Sequence, residues 1–185
     1  MTQIHAPVPI VGFAAYSGTG KTTLLTALIP LLTKRGYRIG MIKHAHHSFD
    51  IDQSGKDSYK LRKAGTQQML IASRNRWALM VENDMAQPEP GLQQMVNHLD
   101  SSTLDCILVE GFKHETFPKI ELHRVALGRD PLFLHDRNIV AIACDQPLQT
   151  EHTIPRLDIN KPQAIADFII DTIIQPFPTT DNWKA

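Results

Sequence analysis

One eight-residue segment near the N-terminus constrains the fold of this chain more than any other feature. Residues 15–22 read Ala-Tyr-Ser-Gly-Thr-Gly-Lys-Thr. They match the phosphate-loop pattern G-x-x-x-x-G-K-[ST], except that Ala15 stands at the first glycine position. A continuous apolar run at 8–15 precedes the loop, and leucines and isoleucines with helical spacing follow it. This order predicts a buried strand, a glycine-rich loop and a helix, which is the context of an anion site in a parallel sheet.

Each residue type in the loop has a chemical reason to be there. Gly18 and Gly20 let the backbone turn its N–H groups inward around phosphate oxygens, at the positive end of the following helix. Lys21 would reach the β- and γ-phosphates, and the Thr22 hydroxyl would ligate Mg²⁺. The alternative is a strand-to-helix turn whose lysine is merely solvated. Ala15 fits the loop only if its position does not need a positive φ angle.

The rest of the chain alternates predicted strands with predicted helices. Apolar and β-branched runs predict strands at 38–42, 105–111, 119–123, 139–144 and 156–159, and helical spacing predicts helices at 54–64, 92–99 and 162–174. Residues 67–72 and 77–81 predict a β-hairpin. We therefore expect an α/β fold with a mostly parallel sheet flanked by helices. One P-loop nucleotide-binding domain over 1–175 and a flexible tail over 176–185 complete the prediction.

Composition excludes several classes of protein. The chain has 185 residues, and its 19 Lys and Arg balance 19 Asp and Glu, which argues against bulk electrostatic capture of nucleic acid or anionic membrane. No apolar stretch approaches the ~20 residues that cross a bilayer, and the N-terminus lacks a secretory pattern. We expect a cytoplasmic protein without membrane or nucleic-acid partners, in which Cys106 and Cys144 act as small core residues.

An acid at the end of a second buried strand is the expected partner of such a loop, since it holds a Mg²⁺ shell or orients water. Glu110 has this position, after four apolar residues and before Gly111. The alternative for Glu110 is a surface acid that follows a core strand. Asp50 and Asp52 lie beyond the predicted second strand, where a switch-type loop brings an acid toward γ-phosphate and metal, or where each is simply solvated.

Histidines and lysines follow the second and third buried strands. His44, His46 and His47 precede two acids, and these residue types do bind zinc. Successive side chains of an extended chain point to opposite sides, so the three histidines cannot all face one metal. The favoured interpretation places Lys43 and His44 at the rim of a nucleotide or partner site, with Lys113 also facing it. The alternative is a hydrophilic loop.

Taken together, these segments resemble the molybdopterin-guanine dinucleotide biosynthesis adaptor (MobB) family, from about Pro9 to Ile170. The motifs at 42–47 (Ile-Lys-His-Ala-His-His) and 108–114 (Leu-Val-Glu-Gly-Phe-Lys-His) are specific beyond a generic phosphate loop. The segments that carry the resemblance are residues 13–24, 42–47, 50–52, 55–59, 61–65, 76–79 and 108–114.

The resemblance implies a homodimer that binds GTP with Mg²⁺, hydrolyses it weakly and assists the guanylyltransferase that joins GMP to molybdopterin, with molybdopterin or its guanine dinucleotide as a further partner. Carried over by position, Lys21, Asp52 and Glu110 would act in hydrolysis, and Thr22, Asp52 and Glu110 would hold the metal. Asp145 keeps only the aspartate of the guanine-reading [NT]-K-x-D pattern. The nucleotide-binding residues would be Ser17, Gly18, Thr19, Gly20, Lys21, Thr22, Thr23, Lys43 and Asp145.

Two other functions remain open at this point. A small-molecule kinase would use the same loop for phosphoryl transfer, with lid arginines from Arg74 and Arg76 or from Arg124 and Arg129. A pure interaction module would keep the loop only as a vestige. The predicted hairpin region at 67–81 is a candidate edge for a dimer interface.

Overall fold

The computed structural model describes residues 3–45, 49–84, 86, 88–148, 150 and 152–177. The chain forms two compact units: the first comprises residues up to His44 and from Gly91 onward, and the second comprises residues 45–90. The tail predicted at 176–185 falls, from residue 178, outside the described residues. The prediction of one domain over 1–175 stays a prediction.

The first unit is built on a six-stranded sheet in the order β2-β5-β1-β6-β7-β8, in which every neighbouring pair is parallel. The predicted α/β fold and hairpin are confirmed. The strands are β1 Ile10–Ala14, β2 Ile39–Lys43, β3 Gln68–Ala72, β4 Trp77–Val81, β5 Cys106–Glu110, β6 Lys119–His123, β7 Ile139–Cys144 and β8 Arg156–Asp158. The helices are α1 Lys21–Lys34, α2 Asp57–Lys63, α3 Leu92–Asn97 and α4 Pro162–Ile169, which continues as a π-helical turn, Ile170–Ile174.

Helices cover the sheet on both faces, so successive residues of its central strands enter different cores. In β5, Cys106 and Leu108 join a core with α1 and α4, whereas Ile107 and Val109 join a core with α3. This double burial explains why β5 is a continuous apolar run. Burial also raises the pKa of the Cys106 thiol to about 12, and both cysteines are free, as expected of core residues.

Gly12 in β1 is required by close packing. A Cβ atom built at this position would lie 2.6 Å from a ring carbon of Phe117 and 3.2 Å from Cγ of Lys119. Phe117 is almost fully buried against the strand, so it has little room to withdraw. The glycine therefore brings β1 and the segment before β6 into contact next to the phosphate loop.

The second unit contains α2 and the antiparallel hairpin of β3 and β4, in which Leu70 lies opposite Leu79. None of these three elements has a buried residue. One hairpin face carries an apolar group that is largely exposed: Leu70, Ala72, Trp77, Leu79 and Val81. We call this set the hairpin face.

Candidate functional site

The phosphate loop joins the end of β1 to the start of α1. Gly18 and Gly20 adopt left-handed conformations, with φ of 82° and 99°, and Gly20 is the N-cap of the helix. Within the described residues Phe112 is the one non-glycine with a positive φ, so Ala15 enters the loop in an ordinary conformation. The loop therefore tolerates alanine at its first glycine position.

Lys21 stands at the first turn of α1 and is half-buried. Its Nζ atom donates a hydrogen bond to the Ala15 carbonyl at 3.1 Å. Burial lowers its pKa; Glu110 acts in the opposite direction, and Lys43 lowers the pKa further. A desolvated ammonium at the end of a glycine-rich loop is stabilised by a bound anion, because the anion replaces the lost hydration.

Glu110 ends β5, one strand away from the loop. Its backbone lies in register with Phe13 of β1 on one side and with Lys43 of β2 on the other. The Lys43 ammonium lies 2.8 Å from the Glu110 carboxylate, whose side chain is only 15% exposed. The parallel sheet thus brings Lys21, Lys43 and Glu110 to one edge, as the strand ends predict.

The chain turns sharply after Glu110. Gly111 and Phe112 have φ angles of 97° and 50°, and a Cβ at Gly111 would lie 2.4 Å from Cβ of His44. The His44 backbone N–H donates to the Glu110 carbonyl at 2.8 Å, and its ring stacks on Phe112 with 4.6 Å between ring centroids. Glycine permits this close approach, which fixes the backbone at the carboxylate-bearing end of β5.

Arg124, directly after β6, contacts the loop from the other side. Its Nε atom donates to the Thr19 carbonyl at 3.0 Å, and its Nη1 atom lies 3.4 Å from Oδ2 of Asp145. The Val125 backbone N–H donates to Oδ1 of the same carboxylate at 3.2 Å. Asp145 is therefore joined to the phosphate loop through one arginine.

A second arginine of the same segment also reaches the loop. The Arg129 guanidinium lies over the Tyr16 ring, 5.8 Å from its centroid, at a distance where cation–π attraction operates. Between the two arginines the chain forms a 3₁₀ turn, Val125–Leu127, which ends at Gly128 with φ of 59°. Both arginines of this predicted lid pair contact the loop through its backbone or an aromatic ring.

Strand β6 carries three buried polar side chains on one face, and no function was predicted for them from the sequence. Lys119, Glu121 and His123 alternate with core residues and are almost fully buried. The Glu121 carboxylate accepts two backbone N–H bonds, from Leu132 at 2.7 Å and Phe133 at 2.8 Å, while burial raises its pKa. Burial lowers the pKa of His123, against the influence of Asp145. The alternation in the sequence is the signal that marks this polar face.

Residues 10–145 match the family model of molybdopterin guanine dinucleotide synthesis protein B, MobB. The chain belongs to the MobB family. It is 51% identical over 165 residues to the molybdopterin-guanine dinucleotide biosynthesis adapter protein of Escherichia coli K12, covering 89% of this chain and 93% of that one. It is 44% identical over 163 residues to the corresponding adapter protein of Haemophilus influenzae, covering 88% of each.

Solved structures support the same MobB fold. The crystal structure of Bacillus subtilis MobB superposes with a TM-score of 0.68 at 21% identity, covering 89% of this chain and 98% of that one. A tetraacyldisaccharide 4'-kinase of Stutzerimonas stutzeri is 30% identical over 118 residues. That match covers 61% of this chain and 34% of the kinase. The similarity to the MobB proteins thus covers a far larger share of both aligned chains than the similarity to the kinase.

Two acids predicted near the metal, Asp50 and Asp52, belong to the second unit of this MobB family member. The Asp52 side chain is buried, accepts a hydrogen bond from the Ser58 hydroxyl at 2.8 Å, and has Oδ2 3.8 Å from Nε of Arg62. Neither of these last two atoms has a hydrogen-bond partner among the described residues. Arg62 also pairs with Glu82 and Asp50, and its hydrogen bond lowers the pKa of Asp50. The metal-binding role of Asp52 stays a prediction.

The histidine loop is only partly described, because His46 and His47 lie outside the described residues. Across the described ranges, His, Cys, Asp and Glu side chains form no group of three or more that could hold a metal ion. Lys113 is exposed after the strained turn. No helix within the described ranges is long and apolar enough to cross a membrane.

Proposed function

We propose that this MobB family member is a GTP-binding adapter in molybdopterin guanine dinucleotide biosynthesis, with weak GTPase activity at most. The observation that carries the proposal is the half-buried Lys21 at the end of the glycine loop, beside Lys43 and Glu110. The adapter role is supported by relatives that share about half of the sequence over nearly its whole length. The proposed nucleotide contacts are Ser17, Gly18, Thr19, Gly20, Lys21, Thr22, Thr23 and Lys43.

The side chains at this edge fit a triphosphate and its metal. Thr22 is exposed at the first turn of α1, and a hydroxyl with a carboxylate forms the oxygen donor set that Mg²⁺ prefers. Thr22 and Glu110, both of the first unit, would hold the Mg²⁺ shell. The ion would neutralise charge on the β- and γ-phosphates. Lys21 stabilises the γ-phosphate, and Glu110 is the group that orients water in slow hydrolysis.

Nucleotide titration by calorimetry, with and without Mg²⁺, tests the proposal. We expect tighter binding of GTP than of ATP, and a loss of more than about a hundredfold in Lys21→Ala, since a charge-assisted phosphate contact disappears. The matched control is Lys34→Ala, at the far end of the same helix. Equal affinity for ATP and GTP would contradict the proposed preference for guanine. Unchanged nucleotide binding in Lys21→Ala would contradict the proposed location of the binding site.

The proposed partners are the molybdenum cofactor guanylyltransferase and molybdopterin or its guanine dinucleotide, in the cytoplasm. A pull-down of purified guanylyltransferase with the tagged adapter measures this interaction directly. We expect complex formation to depend on GTP and to weaken in Lys21→Ala. A complex that forms equally with and without nucleotide would separate the adapter role from the nucleotide site.

We also propose a homodimer that uses the hairpin face. Trp77 is 68% exposed and Leu70 is 61% exposed, and apolar patches of this kind are typical of protein interfaces. We expect Trp77→Ser to raise the dimer dissociation constant about tenfold or more in sedimentation equilibrium. Leu134→Ser, an exposed leucine of the first unit, serves as control. A dimer unaffected by Trp77→Ser would place the interface elsewhere.

A kinase is the second candidate, and the partial likeness to tetraacyldisaccharide 4'-kinase favours testing it. Arg124 and Arg129 contact the phosphate loop itself, which supports a bracing task more than a lid that closes over substrate. Stoichiometric transfer of phosphate to an acceptor hydroxyl, followed by mass spectrometry, would establish the kinase. Slow release of inorganic phosphate alone would favour the adapter.

A further inference from the structure

The tip of the phosphate loop is held by two hydrogen bonds of Thr19. Thr19 is almost fully buried, and it stands between Gly18 and Gly20, which give the backbone little rigidity of its own. Its hydroxyl donates to the Tyr16 carbonyl at 2.8 Å, which closes a local turn. Its own carbonyl accepts from Nε of Arg124, 105 residues away in the chain. The loop tip is thus tied to the strand end beyond β6.

We propose that Arg124 is a positioning residue for the phosphate loop, and that Asp145 affects nucleotide binding by holding Arg124. This inference rests on the proposed nucleotide binding and adds a specific task for two side chains on the β6–β7 side. The Arg124 side chain contacts the backbone of the loop. Loss of this contact should therefore weaken the binding of any ligand that carries the same phosphates, whatever its base. The predicted base contact of Asp145 would instead discriminate between bases.

The geometry of the guanidinium suits this task. Arg124 uses Nε toward Thr19 and Nη1 toward Asp145, so two edges of one planar group face two acceptors. A lysine has one ammonium on a flexible stem and cannot fix both directions at once. Burial of the Thr19 carbonyl also makes loss of its donor costly, since a buried acceptor without a partner is destabilised.

The contacts of Asp145 favour an anchoring role. Its Oδ1 accepts the Val125 N–H and its Oδ2 faces Arg124, while its side chain is 17% exposed. Both oxygens therefore serve the segment after β6. Replacement by asparagine keeps the size of the side chain but removes the charge that holds the guanidinium. We therefore expect Asp145→Asn to weaken the hydrogen bond between Arg124 and the Thr19 carbonyl as well.

Calorimetric titration of GTP, ATP and inorganic tripolyphosphate with Mg²⁺ tests the inference on the full-length protein. We expect Arg124→Ala to weaken all three ligands about tenfold and Arg124→Lys to recover only part of the loss. Asp145→Asn should weaken all three by a similar factor. In the double variant Arg124→Ala, Asp145→Asn, the loss should not exceed that of Arg124→Ala alone, because the two residues act in series. Arg137→Ala, an exposed arginine of the same unit, is the matched control.

Several results would overturn the inference. A loss confined to GTP in Asp145→Asn would identify a base contact, and additive losses in the double variant would show independent roles. Unchanged tripolyphosphate binding in both Arg124 variants, with thermal unfolding of the ligand-free proteins at the wild-type temperature, would refute the bracing of the loop. These outcomes leave the proposed function intact, whereas a wild-type protein that binds no triphosphate would remove both.

Discussion

The two units of this chain differ sharply in how they treat their apolar residues. In the first unit, Leu28 and Leu32 of α1 are fully buried, as are four successive residues of β5. In the second unit, α2 and the hairpin contain no buried residue, and Trp77 is 68% exposed. Both units have well-formed secondary structure. The difference teaches that an apolar strand pattern predicts a strand but does not reveal what covers it.

Truncation of one leucine in each unit gives the largest expected contrast. Leu28→Ala opens a cavity in a closed core and should cost about 2–5 kcal/mol of unfolding free energy. Leu79→Ala, on the hairpin face, should stay within about 0.5 kcal/mol. Urea unfolding at low protein concentration measures both values.

Protein concentration separates two explanations of the leucine result. If a second copy covers the hairpin face, the cost of Leu79→Ala should increase with protein concentration, because stability is then linked to association. A cost that is large and independent of concentration would contradict the exposure of this face.

Added volume should give the next largest contrast. Gly12→Ala places a methyl group against the Phe117 ring, so we expect a loss of about 1–3 kcal/mol in urea unfolding. Ala72→Val adds volume on the exposed hairpin, where β-branched residues are tolerated, and should change stability by less than about 0.5 kcal/mol. Gly91→Ala, with its nearest neighbour atom at 3.7 Å, controls for the loss of glycine itself. Equal effects of Gly12→Ala and Gly91→Ala would contradict the close packing at β1.

Acid should affect one carboxyl in each unit with opposite sign. Burial raises the pKa of Glu121 above 4.5, so its contribution to stability is present at low pH and is lost as pH rises through the folded-state value. The hydrogen bond from Arg62 lowers the pKa of Asp50 below 3.8, so its contribution is present above that value and is lost as pH falls.

Urea unfolding between about pH 3 and pH 7 checks both directions. The stability of wild type relative to Glu121→Gln should fall as pH rises, whereas its stability relative to Asp50→Asn should fall as pH decreases. These effects are the smallest of the series. Two differences that change in the same direction would contradict the opposite environments of the carboxyls.

Most of the fold could be predicted from the sequence, because periodicity reports local geometry. The bounds predicted for β6 and β7 agree with the structure, and those of β1, β2 and β5 differ by one or two residues. Helix ends were less accurate: the helix predicted at 54–64 begins only at Asp57. Its first residues instead form a turn at Gly55, whose φ of 86° is incompatible with a right-handed helix.

The candidate site divides in the same way. The sequence predicts Lys43 at the rim of the nucleotide or partner site and Glu110 at the end of a buried strand, and parallel strands place their carboxyl ends at one edge of the sheet. The contacts of Arg124 with Thr19 and Asp145 join positions 105 and 21 residues apart. No periodicity encodes such contacts, because they depend on where irregular segments cross the sheet edge.

The strand order also determines when the protein can become competent during its own synthesis. β1 is made before its sheet neighbours β5 and β6, and the support of its loop needs Arg124 and Asp145. Strand pairing across such long sequence separations is slow, because the chain loses loop-closure entropy before the new contacts stabilise it. A ribosome must therefore have passed Arg124, 105 residues beyond Thr19, and then Asp145, another 21 residues on, before the phosphate loop has its full set of supports. Until then, the emerging apolar strand is exposed to chaperones and to aggregation.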